Sequence, residues 1–223
     1  MLAEANNLHS ARVVSVDTGG VSLEGGLDMP RDALGVALFA HGSGSSRHSP
    51  RNLFVADSLN ERRIGTLLID LLTSEEERVD QFTRQLRFDI ALLADRLAGA
   101  IEWLRNEPET APLPLGLFGA STGSAAALIA AARKPDEVSA VVSRGGRPDL
   151  AERYLPDVKA PTLLIVGGND LTVLELNRRA QRDLRAPSEL RVVEGASHLF
   201  EEPGALEQVA KLAGDWFAKR LGV

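Results

Sequence analysis

The chain has 223 residues, 44% hydrophobic and 25% charged, the balance of an ordinary globular protein rather than of a disordered or membrane-embedded one. A net charge of -6 and the lack of any long Lys/Arg run exclude the electrostatic footprint of a nucleic-acid binder. There is no cysteine, which removes disulfides, thiolate metal sites and a thiol nucleophile together, so a nucleophile here must carry oxygen or nitrogen.

The opening MLAEANNLHSARVVSV starts acidic and holds no apolar block of secretory length, and the longest apolar stretch, about 124–132, is Ala-rich and too short for a bilayer. A cytoplasmic protein of one domain over residues 1–223 is expected. Two alternating runs, 11–17 and 21–27, flank Thr18-Gly19-Gly20 and predict an antiparallel hairpin. Apolar runs follow at 35–40, 66–70, 115–118, 138–143 and 162–166, with a last strand at 189–193. Such unbroken runs are typical of parallel strands buried on both faces. Amphipathic stretches at 51–62, 81–106, 123–132, 171–184 and 204–221 alternate with them. The order predicts an α/β fold: a mostly parallel sheet with an N-terminal antiparallel hairpin and helices on both faces. A ligand site then belongs at the carboxyl ends of the strands. No long insertion follows the strand at 138–143, so no large lid is expected over that site.

The strongest chemical signal stands at such an end. Gly119-Ala120-Ser121-Thr122-Gly123 joins the strand at 115–118 to an Ala-rich helix, as a G-x-S-x-G nucleophile elbow does. A nucleophile on so sharp a turn needs small neighbours two residues away on each side, and the helix that follows turns its positive end toward an oxyanion. The plainer alternative is a Gly-rich turn that packs or binds an anion. A serine hydroxyl also needs a base, and the chain has four histidines, His9, His41, His48 and His198. His198 has the best setting, in Gly195-Ala196-Ser197-His198 between the last strand and the last helix. The orienting carboxylate should lie after a strand between the two, where Asp170 ends Gly167-Gly168-Asn169-Asp170. An Asp in that place also caps the next helix, and both roles can hold at once. The oxyanion donors expected are the backbone N–H groups of Thr122 and of Ser43, the latter in the loop His41-Gly42-Ser43-Gly44. Arg47, His48, Arg51, Arg144 and Arg147 stand near the same edge; they either bind an anionic substrate group or pair with acids such as those of the 74–77 segment.

Taken together, His41-Gly42-Ser43-Gly44, Gly119 to Gly123, Gly168-Asn169-Asp170 and Gly195-Ala196-Ser197-His198 resemble the α/β-hydrolase superfamily, and more narrowly dienelactone hydrolase-like proteins, over about 35–221. The resemblance implies Ser121, Asp170 and His198 as a triad. Dienelactone hydrolases proper carry cysteine at the elbow, where this chain has Ser121. The stretch 41–52 also looks like hydrolase domains found joined to phosphoribosyltransferase domains, none of which is seen in these residues. The function expected is hydrolysis of a small carboxylic ester or lactone through an acyl-serine. An amidase, peptidase or acyltransferase using the same triad, or a non-catalytic binding module on this fold, are the other readings. No cofactor and no metal is expected. The partners expected are a small-molecule ester or lactone and at most a second copy of the chain, with neither nucleic acid nor membrane.

Overall fold

The computed structural model describes residues 11–222; His9 and the acidic start of the chain lie outside them. Eight strands form one sheet in the order β1-β2-β4-β3-β5-β6-β7-β8. They are β1 (Arg12–Asp17), β2 (Ser22–Asp28), β3 (Gly35–Ala40), β4 (Ile64–Ile69), β5 (Leu115–Ala120), β6 (Val138–Arg144), β7 (Thr162–Gly167) and β8 (Ser188–Val193). β1 pairs antiparallel with β2, and β2 antiparallel with β4. From β4 to β8 every pairing is parallel. The α/β-hydrolase architecture expected from the sequence is the one observed.

Burial explains the strand patterns. Every residue of β3, β4, β5 and β7 is buried, because helices cover both faces, whereas β1 at the edge alternates exposed and buried. The period of two separates the faces. Leu38, Leu67 and Leu117 pack with α3 (Ile90–Asn106) and α4 (Thr122–Arg133) on one side. Phe39, Leu68 and Phe118 pack with α1 (Pro50–Asn60) and α6 (Ala205–Leu221) on the other. A helix α5 (Leu171–Asp183) follows β7.

The helix expected over 81–106 is two helices. α2 (Ser74–Thr83) ends where Arg84 turns left-handed at φ 55°, a 3-10 turn covers Leu86–Phe88, and α3 starts under the Asp89 cap. Asp80, fully buried, holds the break by accepting the Leu86 N–H at 2.7 Å and pairing with Arg87. α2 has a capping box, Thr73 and Glu76 each accepting the other's backbone N–H. A second segment without an expected helix, Pro148–Asp157, runs as 3-10 turns.

Candidate active site

Ser121 stands between β5 and α4 with φ 50° and ψ -121°, a region L-residues avoid at a cost of about 1–3 kcal/mol. Close packing imposes that shape. A Cβ on Gly119 would lie 2.4 Å from Ser124 Cα, and one on Gly123 would lie 2.3 Å from the Ala40 carbonyl oxygen. The Ser121 backbone is bonded at both ends, its N–H donating to Arg144 O at 3.1 Å while its carbonyl accepts from Arg147 N–H at 3.2 Å. The loop after β6 therefore holds the elbow from outside. Buried Asn177 of α5 steadies that loop by donating from Nδ2 to Gly146 O at 2.9 Å.

The histidine expected from the sequence meets this hydroxyl, and the expected carboxylate meets the histidine. His198 Nε2 lies 3.2 Å from Ser121 Oγ, and His198 Nδ1 lies 2.6 Å from Asp170 Oδ2. An ionised carboxylate only accepts, so Nδ1 carries the proton and Nε2 keeps its lone pair toward the serine. Asp170 also caps α5, its Oδ1 accepting the Val173 N–H at 3.4 Å. The loops bearing the two residues are tied together: Asn169 donates from Nδ2 to Gly195 O at 2.8 Å and from its backbone to Ala196 O at 2.9 Å. Glu202 accepts the Ser197 N–H at 3.0 Å and fixes the turn before His198. Sequence reasoning singles out Asn169 only as part of the Gly168-Asn169-Asp170 motif, without a role, and misses Asn177 and Glu202, because each acts through a backbone atom that no spacing rule identifies.

The two backbone N–H groups expected from the sequence, of Thr122 and Ser43, differ in their partners. As the first residue of α4, Thr122 has a backbone N–H without a partner inside its helix. The Ser43 N–H, in contrast, donates to Thr122 Oγ1 at 2.8 Å. The Ser43 loop is bolted to β4 by His41, whose Nε2 accepts the Leu71 N–H at 3.1 Å and whose Nδ1 faces Gly42 O at 2.9 Å. A backbone N–H must donate, so His41 is the neutral Nδ1–H tautomer, and burial holds its pKa below the ordinary value.

The basic cluster resolves into separate cases. Arg47 pairs with Asp70 and with Glu24, Arg51 with Glu201 at 3.1 Å, and Arg147 with Asp149 at 2.8 Å; none of them uses the 74–77 acids. Those acids serve other arginines, Glu76 pairing with Arg96 and Glu77 with Arg87. His48 is exposed. Arg144 is buried, with its Nη1 lacking a hydrogen-bond acceptor. Beside the Ser43 loop a cleft of about 520 Å³ opens, lined by His41, Ser45, Ser46, Asp70, Leu72 and Glu77. A second cavity of about 150 Å³, lined by Gly25, Leu53, Ala56, Thr66 and Leu68, has none of the three meeting residues in its wall. Leu171 and Leu199, next in the chain to Asp170 and His198, are exposed.

Among the described residues no helix is long and apolar enough to cross a membrane. The pattern of the dienelactone hydrolase family matches residues 60–220. A crystal structure of a dienelactone hydrolase from Anabaena variabilis is 58% identical, with a TM-score of 0.94 over 96% of this chain and 99% of that one. Est1E from Butyrivibrio proteoclasticus, at 15% identity and a TM-score of 0.81 over 96% of this chain and all of its own, shares the fold. Two proteins of Mycobacterium tuberculosis strains, provisionally named phosphoribosyl transferases, are 58% identical over 208 residues, or 93% of this chain. The chain spans 46% of their length.

Proposed function

Since the chain belongs to the dienelactone hydrolase family, we propose that it is a serine hydrolase that cleaves small carboxylic esters or lactones through an acyl-Ser121 intermediate. One observation carries the reading: the continuous line from Asp170 through His198 to Ser121, with the tautomer that leaves Nε2 free to take a proton. The transferase name belongs to proteins more than twice as long as the matched region, so it does not decide the chemistry of this region.

Ser121 Oγ attacks the ester carbonyl as its proton passes to His198 Nε2, and Asp170 stabilises the imidazolium that forms. The oxyanion is met by the Thr122 N–H and by the Ser43 N–H once it leaves Thr122 Oγ1. His198 then returns the proton to the departing alkoxide, leaving the acyl-enzyme. Water repeats the sequence: it loses a proton to His198, adds to the acyl carbon, and Ser121 leaves with that proton. The steps need no group beyond these side chains and water.

The test is steady-state hydrolysis of 4-nitrophenyl acetate and butyrate. Wild-type protein should turn both over, and Ser121→Ala should lose about 10⁴-fold or more in kcat. Equal rates for the two proteins would overturn the reading.

A further inference from the structure

Ser121, His198 and Asp170 come from three separate turns, and the segment 144–147 after β6 is where their supports meet. Arg144 O accepts the Ser121 N–H at 3.1 Å, and the Arg147 N–H donates to Ser121 O at 3.2 Å. Between those two bonds Gly145 lies against His198, since a Cβ on it would stand 3.2 Å from His198 O and 3.5 Å from His198 Cε1. Its N–H pins the segment to β7 by donating to Ile165 O at 2.8 Å. Gly146 fits only because it has no side chain: a Cβ there would overlap Ser143 Oγ and crowd Ser124 Oγ.

Asp170 is joined to this segment through α5. It caps that helix, and two turns further on Asn177, 0% exposed, donates from Nδ2 to Val173 O at 2.8 Å within α5 and to Gly146 O at 2.9 Å across the gap. Both partners are carbonyls, so the nitrogen of the amide must face them. One side chain thus clamps the helix that carries the carboxylate to the segment that holds the serine. The clamp lowers stability in one respect. Asn177 Oδ1 is buried with no hydrogen-bond partner among the described residues, which costs folding free energy, and Asn is a poorer helix former than Leu, a side chain of similar size. Stability alone favours an apolar residue at this position; the donor to Gly146 is what such a residue would lack.

We propose that Asn177 is a positioning residue of the triad, its amide locking α5 to the 144–147 segment and so setting Asp170 and His198 in place relative to Ser121. This rests on the serine-hydrolase reading of the same site and adds a residue that acts through the backbone rather than on the reacting atoms. The line it sets is made of contacts of 2.6 and 3.2 Å, and a displacement of about 1 Å in such a line costs about 10²-fold in rate.

The experiment compares wild type with Asn177→Leu and Asn177→Ala in turnover of 4-nitrophenyl acetate, in urea unfolding and in the downfield proton NMR signal of the His198 Nδ1–H. Asn177→Leu should lower kcat about tenfold or more with KM changed by less than about twofold, because binding of so small an ester does not depend on the line. Its urea midpoint should equal or exceed that of wild type, and the Nδ1–H signal should broaden or vanish. If Asn177→Leu does not fold, Asn177→Ala removes the same donor without adding bulk and is read by kcat and the signal. A folded variant that keeps either the wild-type kcat or the wild-type signal would overturn the proposal, and so would an Asn177→Leu protein whose midpoint falls together with kcat, the pattern of a purely structural residue. A wild type that neither hydrolyses esters nor takes a fluorophosphonate refutes the hydrolase reading instead. The clamp is then read from the NMR signal alone: present in wild type and lost in the variants if Asn177 sets the Asp170–His198 contact, absent from wild type or unchanged in the variants if it does not.

Discussion

The two walls of the site are held by different means. The elbow at Ser121 is shaped by steric exclusion: Gly119 and Gly123 have no room for a Cβ, and the neighbouring loop bonds both ends of the serine's backbone. The Ser43 loop opposite hangs on side-chain hydrogen bonds, one through the neutral His41 and one through the Thr122 hydroxyl. Steric walls are insensitive to pH, whereas a bond to a histidine lone pair is not. The position of Ser121 should therefore survive conditions that loosen the Ser43 loop.

The largest effect is expected from the elbow's partners. Asp170→Asn should keep the α5 cap, since Asn caps about as well as Asp, yet lower kcat by about 10⁴-fold because it no longer fixes the His198 tautomer. Circular dichroism together with turnover checks both halves of that statement. Gly123→Ala should cost about 3 kcal/mol or more in urea unfolding, because its Cβ meets the Ala40 carbonyl, a backbone atom that cannot rotate away.

The opposite wall should respond to acid. The pKa of His41 is lowered in the folded protein, so below its unfolded value of about 6.5 the unfolded chain binds the proton more readily. Stability contributed by neutral His41 is full above that pH and falls as the pH drops from 6.5 toward the folded value. The limiting slope for one group is about 1.4 kcal/mol per pH unit. His41→Gln should remove this component from urea melts between pH 7 and 5, and an unchanged slope would break the comparison. The smallest effect concerns Thr122→Val, which keeps the shape but deletes the acceptor of the Ser43 N–H. It should lower stability by about 1 kcal/mol and raise kcat/KM up to about fivefold, since the amide no longer has to leave a partner to reach the oxyanion.

How far the sequence could be read follows the same division. β3, β5 and β7 are legible because strands covered on both faces must be apolar throughout, and the elbow because sterics demand small residues at set positions. Ser121, His198 and Asp170 stand out by their places after strands, and the three side chains meet. The break at Arg84 carries no sequence signal because a non-glycine residue takes the left-handed turn, and what steadies it is the buried Asp80, a polar residue with nothing in the sequence to mark it as buried. The start of α2 was within reach through Thr73 and Glu76, but its charged surface shows no apolar period. Nor does sequence say which acid an arginine meets: Arg47 reaches Asp70 and Glu24 across the fold, while Arg144 meets none among the described residues.

The central claim is that Ser121 is the activated nucleophile, and stoichiometric labelling with a fluorophosphonate followed by peptide mass spectrometry tests it most directly. The account predicts one adduct per chain, on Ser121, formed in wild type and lost in Ser121→Ala. Well-folded wild-type protein that takes no label, or takes it at another residue, would contradict it.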